Sequence, residues 1–181
     1  MASPIGNMNN VKIFVLYLME NIHYPLDYVT INDIVMQTDY VMYLDFAVAF
    51  NEMLDGGLLR KLVKDDEELY EVTDKGMCVA QELKSDLLST VLDQSMAQAL
   101  RYLDFKKRGV TPHCSVEKMD DGRYLLCATF LEGGVCMYRQ ELVVDTFDRA
   151  KRMKENFYER PEVIYRGAVA LMAGNVNYLF D

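Results

Sequence analysis

Apolar residues recur at helical spacing through the first third of the chain, alternate through its middle, and return to helical spacing near its end. Val11, Phe14, Val15, Leu18 and Ile22 predict a helix from Asn9 to Asn21 with one face in a core, and Pro25 prevents its continuation. Thr30 with Asp33 reads as a capping box that opens a second helix to Gln37, burying Ile31, Ile34 and Val35. The connector TDYVMYL leads to Asp45, an N-cap for a third helix over Phe46 to Asp55. Phe46, Ala49, Phe50, Met53 and Leu54 fall on its buried stripe, which turns Ala47, Val48, Asn51, Glu52 and Asp55 outward. Gly56 and Gly57 stop it. Strands Leu58 to Lys64 and Leu69 to Val72 flank the acidic turn Asp65, Asp66, Glu67, Glu68, and Thr73 caps a fourth helix through KGMCVAQELKSDL.

Beyond residue 90, Val91, Leu92, Met96, Leu100 and Leu103 form a stripe on a helix ending near Lys107, where KKRG supplies cations for the helix terminus and a glycine stop. Lys106, Lys107 and Arg108 read as that dipole complement in preference to a phosphate site. Thr111 to Lys118, Arg123 to Leu131 and Val135 to Val144 follow as antiparallel strands joined by DDG and EGG turns. Asp145 or Thr146 opens a helix bearing Phe147, Ala150, Met153 and Phe157 on one face, and Pro161 begins another that ends at Gly174. Both faces of the second and third of these strands carry apolar side chains. A sheet solvated on one side would not, so a second layer is expected over it: the preceding helix first, a second copy of the chain next, an apolar ligand last.

The fold class is therefore α+β: a winged helix-turn-helix over residues 1–88, then a linker helix and a three-stranded antiparallel sheet with two helices over 89–181. The order helix, helix, helix, hairpin, helix is that of a winged helix, and GLL after the third helix and YEVTDKG after the hairpin are its usual punctuation. These residues, the run NDIVMQTDYVMYLDFAVAFNEMLDGGLL, and the hairpin and helices after residue 110 give the chain its resemblance. Over nearly its whole length it resembles a family of roughly 180-residue bacterial proteins, classed as a domain of unknown function, that join a winged helix to a small α+β domain. The resemblance implies a regulator-like protein. Where that family's third helix opens with a hydroxyl N-cap and two glutamines, this chain has Asp45, Ala47 and Val48, which removes the side chains best suited to read base edges.

Charge sharpens the point. No Lys or Arg occurs from Ile13 to Leu59, the stretch that would enter a DNA groove. The net charge of -9 falls entirely on residues 1–90, while 91–181 balance. An acidic surface ordinarily serves solubility, and here it also repels a polyanion. Arg60, Lys61 and Lys64 are the clustered cations of the first half, so any DNA contact falls to them. Tyr43, Ala47, Val48 and Asn51 are the residues of the third helix and its approach placed to meet DNA or a protein.

Cys78, Cys114, Cys127 and Cys136 contain no CxxC pair, and His23 and His113 are the only histidines. A zinc or iron-sulfur site is not expected, and no cofactor. With Gly133 and Gly134 in a hairpin turn, Cys127 faces Gln140 and Cys136 faces Leu131, so these thiols do not meet. Four reduced, mostly buried thiols in the cytoplasm is the expectation. The apolar run Ile13 to Met19 is too short for a membrane span and lacks the flanks of a signal peptide.

Enzyme motifs are missing: no GxSxG, P-loop, GxGxxG after a strand, HExxH or acidic pair set in a cleft. Both histidines read as surface or satisfied residues. The run Asp65 to Glu68 lacks the glycine of a calcium loop and reads as a solvated turn. A non-enzymatic protein is expected, either a dimeric DNA-binding regulator with a dimerising or sensing C-terminal domain, or a winged helix that has exchanged DNA for a protein partner. A homodimer is expected from the apolar sheet, the stripe on the linker helix and the tail Tyr178, Leu179, Phe180.

Overall fold

Asn7, Asp27 and Thr73 each fold a side-chain oxygen onto the backbone N–H three residues on, at 3.0, 2.9 and 3.1 Å, and each starts a helix. In the computed structural model, which describes residues 3–174, these are α1 (Met8–Ile22), α2 (Tyr28–Met36) and α4 (Asp74–Leu83). Between the last two lie α3 (Tyr43–Asp55) and the hairpin of β1 (Leu59–Lys64) and β2 (Glu67–Val72). The helix α5 (Ser89–Lys107), strands β3 (Val110–Lys118), β4 (Tyr124–Glu132) and β5 (Val135–Val144), and helices α6 (Phe147–Glu159) and α7 (Pro161–Met172) complete a mixed α+β chain. It divides into two compact units, Met1–Tyr102 and Leu103–Asp181. The division falls inside α5, later than the 88/89 boundary expected, because Leu92, Ser95 and Ala99 are buried and the Tyr102 hydroxyl donates to Asp33 of α2 at 2.7 Å.

In the first unit α1 is the central post. It packs against α3, α4 and β2, so Ile13 to Leu16 are all buried and the single buried face expected of it becomes nearly the whole circumference. The hairpin is tied to the α1–α2 connector by a two-way bridge: Leu26 N–H donates to the Tyr70 carbonyl at 3.0 Å and Tyr70 N–H to that of Leu26 at 2.8 Å. Three helices, a hairpin and a further helix in this order fit a winged helix.

Three local expectations change. Asp27, not Thr30, caps α2, and Thr30 is buried with its hydroxyl on the Asp27 carboxylate. The third helix starts at Tyr43, not after Asp45, because that carboxylate is taken by Ser3, whose N–H donates to it at 2.9 Å and whose hydroxyl donates at 2.5 Å. The wing turn is two residues, not four. Asp65 and Asp66 both have positive φ, 52° and 64°, the pairing that matches strand twist in a tight hairpin, and this brings Glu67 and Glu68 into β2.

In the second unit the strands run in the order β3-β4-β5, all antiparallel. Leu126, Ala128 and Phe130 point from β4 into a core with Ala150 and Phe157 of α6. Phe130 is its hub, with ring centroids 4.6 Å from Phe157, 5.7 Å from Phe105 and 5.8 Å from Tyr165. A bulge between Phe130 and Leu131 shifts the register, so Cys127 pairs with Glu141 rather than Gln140, while Cys136 does face Leu131. The other sheet face departs from the apolar surface expected. Leu125, Cys127, Thr129 and Leu131 are half-buried along its centre, but exposed Thr111, His113, Ser115 and Glu117 line one flank and Arg139 and Glu141 the other. The end of α5 that belongs to this unit packs on the opposite, helix side, where Phe105 meets Phe130 and Tyr165. Along α5 the buried line is Leu92, Ser95, Ala99 and Leu103, whereas Leu100, expected in the stripe, is exposed, lying a quarter turn off it. The tail Tyr178, Leu179, Phe180 lies outside the described residues. Among the described residues no helix is long and apolar enough to cross a membrane.

Candidate functional site

The three extra residues at the start of α3 change what the helix presents. Met42, Tyr43 and Leu44 stand at its N-terminal end, and Leu44 is 73% exposed, Tyr43 56% and Val48 48%. Leu44 and Val48 are one helical turn apart, with Asn51 and Asp55 continuing the same exposed line. Ala47 is half-buried beside them. Asn51, the one polar residue here with the reach to read a base, donates its side-chain amide to the Ala47 carbonyl at 2.9 Å. Leu44 and Met42 were missed in the sequence because Asp45 looked like a cap. The signal was the Leu44–Val48 spacing, read as connector followed by helix instead of as one helix.

Beneath this line the helix is anchored by aromatic rings. Phe50 meets Tyr28 at 4.9 Å and Tyr70 at 5.0 Å, both edge to face, and Phe46 at 5.7 Å. Burial, and then the Tyr43 side chain, push the Tyr28 phenol above its ordinary pKa. The Tyr43 side chain lies near Tyr28 while more than half of it faces solvent. The surface is apolar in its middle and rests on packed rings.

Cations do not gather around it. Lys12 of α1 is spent on Glu52 of α3 at 2.6 Å. On the wing, Arg60 pairs with Glu71 and Lys61 with Glu68. The Lys61 bond holds the Glu68 carboxyl below its usual range and raises the ammonium. Lys64 lies opposite Glu67 in the hairpin register. Successive strand residues also point to opposite faces, so Arg60 and Lys64 share one side, about 13 Å apart, and Lys61 is on the other. The structure therefore brings Tyr43, Ala47 and Val48 together on α3 and separates Arg60, Lys61 and Lys64.

Elsewhere, His23 is the exposed left-handed cap of α1, at φ 63°, and His113 is exposed on β3. Of the four free thiols only Cys114 is buried, which corrects the expectation of mostly buried cysteines: Cys78 lies on the outer face of α4 and Cys136 beside the β4–β5 turn, both exposed. Glu82 pushes the Cys78 thiol up, so it is a poorer nucleophile than an ordinary surface cysteine. Among the described residues no three His, Cys, Asp or Glu side chains gather as they would around a metal ion.

Residues 11–172 match a family profile described as a domain of unknown function (DUF4364). No curated protein and no solved structure gives a significant match.

Proposed function

We propose, for a chain that belongs to the DUF4364 family of domains of unknown function, that its first unit is a winged helix given over to protein recognition. In this reading α3 docks a partner through Leu44, Val48, Tyr43 and Met42. The observation that carries it is the exposure of these four side chains on the element that in a DNA-binding winged helix would lie in the groove. Neutralised wing cations support it. Non-specific DNA affinity comes almost wholly from cations that displace counterions, and here Arg60 and Lys61 are already occupied by carboxylates. Asp55, exposed on the same line as Leu44 and Val48, favours a partner surface that sets a cation beside its apolar middle.

Two measurements test this. Anisotropy titration of random duplex at about 100 mM salt is expected to give binding weaker than the ~10⁻⁴ to 10⁻⁶ M of ordinary non-specific binders. A photo-crosslinker placed at position 44 is expected to capture a protein which, rebuilt from purified components, binds the Leu44→Ser variant at least tenfold more weakly. Tight, steeply salt-dependent DNA binding would overturn the reading in favour of a DNA-binding regulator.

Self-association belongs to the same proposal. Leu125, Cys127 and Leu131 make a half-buried apolar strip along β4 which, with Val143, 49% exposed and paired with Leu125, offers a second copy a self-complementary surface. Sedimentation equilibrium at micromolar concentration is expected to return a dimer, and Leu131→Lys a monomer. A monomeric wild type would sink this part.

A further inference from the structure

The second unit carries a groove of about 350 Å³ between α6 and the outer edge of β3, lined by Val116, Phe147, Lys151, Lys154, Glu155 and Tyr158. Its size falls within the usual range for small-molecule sites. Phe147, Lys151, Lys154 and Tyr158 stand at intervals of four, three and four residues and so form one stripe of the helix. Val116 supplies the strand side.

Three features give the groove a chemical preference. First, β3 is an edge strand, and Tyr158 occupies part of its edge: the Cys114 N–H donates to the Tyr158 hydroxyl at 2.8 Å. Bonded and non-bonded pairs alternate in an antiparallel ladder, so Val116, two residues on and opposite Leu126, turns its N–H to the same open side. Second, Lys154 is half-buried and, among the described residues, forms no ion pair. Its charge reaches the buried Cys114 thiol, which burial pushes above its ordinary pKa and Lys154 draws back. Third, Lys151 adds a second ammonium at the rim, and Glu155, 3.8 Å from it, is the opposing charge. The apolar walls are Phe147, 52% exposed, and the Val116 side chain.

We propose that this groove binds a small monocarboxylate with an apolar or aromatic body. The carboxylate accepts from the Lys154 and Lys151 ammonium groups and the Val116 N–H, and the body lies against Phe147. Neutral and cationic molecules of the same shape gain only the apolar part. Charge-assisted bonds to a carboxylate are about twice as strong as neutral ones, so the acid is preferred. The site lies wholly within the second unit and stands or falls independently of the α3 surface.

The test is a titration of the isotope-labelled full-length protein with 4-phenylbutyrate, 4-phenylbutan-1-ol and 4-phenylbutylamine, followed by backbone amide signals. Saturable shifts centred on Val116, Phe147 and Tyr158 are expected for the acid, with the alcohol and amine at least tenfold weaker. Lys154→Gln is expected to weaken the acid at least tenfold and leave the alcohol unchanged, and Glu155→Gln to tighten the acid. The proposal is overturned by equal binding of acid and alcohol, by shifts centred elsewhere, by wild-type affinity in Lys154→Gln, or by weaker acid binding in Glu155→Gln.

Discussion

Phe50→Ala is expected to destabilise the first unit by about 3 to 5 kcal/mol, the cost of lost burial and of a cavity that cannot collapse. Phe50 is 2% exposed and lies against Tyr28, Phe46 and Tyr70. Those rings come from α2, from α3 itself and from β2, and Tyr70 is fixed by its bridge to Leu26. None can move into the space without dragging an element with it. Val48→Ala, about half a turn round the helix from Phe50 and 48% exposed, is expected to cost less than about 0.5 kcal/mol while weakening binding of the proposed partner. The check is urea unfolding followed by amide signals of α1, since two units in one chain need not unfold together. Comparable midpoint shifts in the two variants would show that Val48, not only Phe50, supports the core.

The phase of α3 was legible because its buried positions are large, apolar and correctly spaced, and Phe46, Ala49, Phe50 and Met53 are indeed its buried residues. Its beginning was not legible. Asp45 has the chemistry of an N-cap, but the group that claims it is Ser3, 42 residues away, and local sequence carries no trace of that bond. The same holds for the wing. Four acidic residues in a row look like one solvated turn, yet Glu67 and Glu68 pair in register with Lys64 and Val63, and the turn contracts to Asp65 and Asp66 at positive φ. In the second unit the alternation of β4 was readable. The bulge at Phe130 was not, because it depends on register with β5. The α6 groove escaped notice for a related reason: Phe147, Lys151, Lys154 and Tyr158 read as one helical face only when β3 supplies Val116 and an open N–H beside them. Before that, two lysines on a helix are an ordinary solvated surface. What the sequence carried well was local periodicity. Contacts made by a single polar side chain with a distant residue were hidden, and they decide where α3 begins and what it exposes.

Gly76→Ala is expected to cost about 3 kcal/mol or more, against the usual sign of such a change in a helix. Alanine exceeds glycine in helix propensity by about 1 kcal/mol, so at an open helical position the substitution stabilises. Gly76 sits in the first turn of α4, its N–H bonded to the Thr73 hydroxyl. A Cβ there would lie 2.2 Å from the Leu58 carbonyl oxygen and 2.7 Å from Cγ1 of Val72. The Leu58 carbonyl cannot retreat cheaply, because it also accepts the Thr73 N–H at 3.0 Å, while the Thr73 hydroxyl holds the adjoining Gly57 carbonyl at 2.8 Å. Relief would need α4 to shift away from the hairpin, breaking the cap that starts the helix, and forced overpacking of this kind already costs 1 to 3 kcal/mol where only side chains must move. Gly57→Ala makes the comparison. It meets no atom within 4 Å but has φ +67°, so it should lose only the roughly 1 to 2 kcal/mol of left-handed strain. Urea midpoints for the two variants, again read from the first unit, are expected to fall in that order. A Gly76→Ala midpoint at or above that of wild type would mean that α4 does not approach Leu58 and Val72 as closely as these distances require.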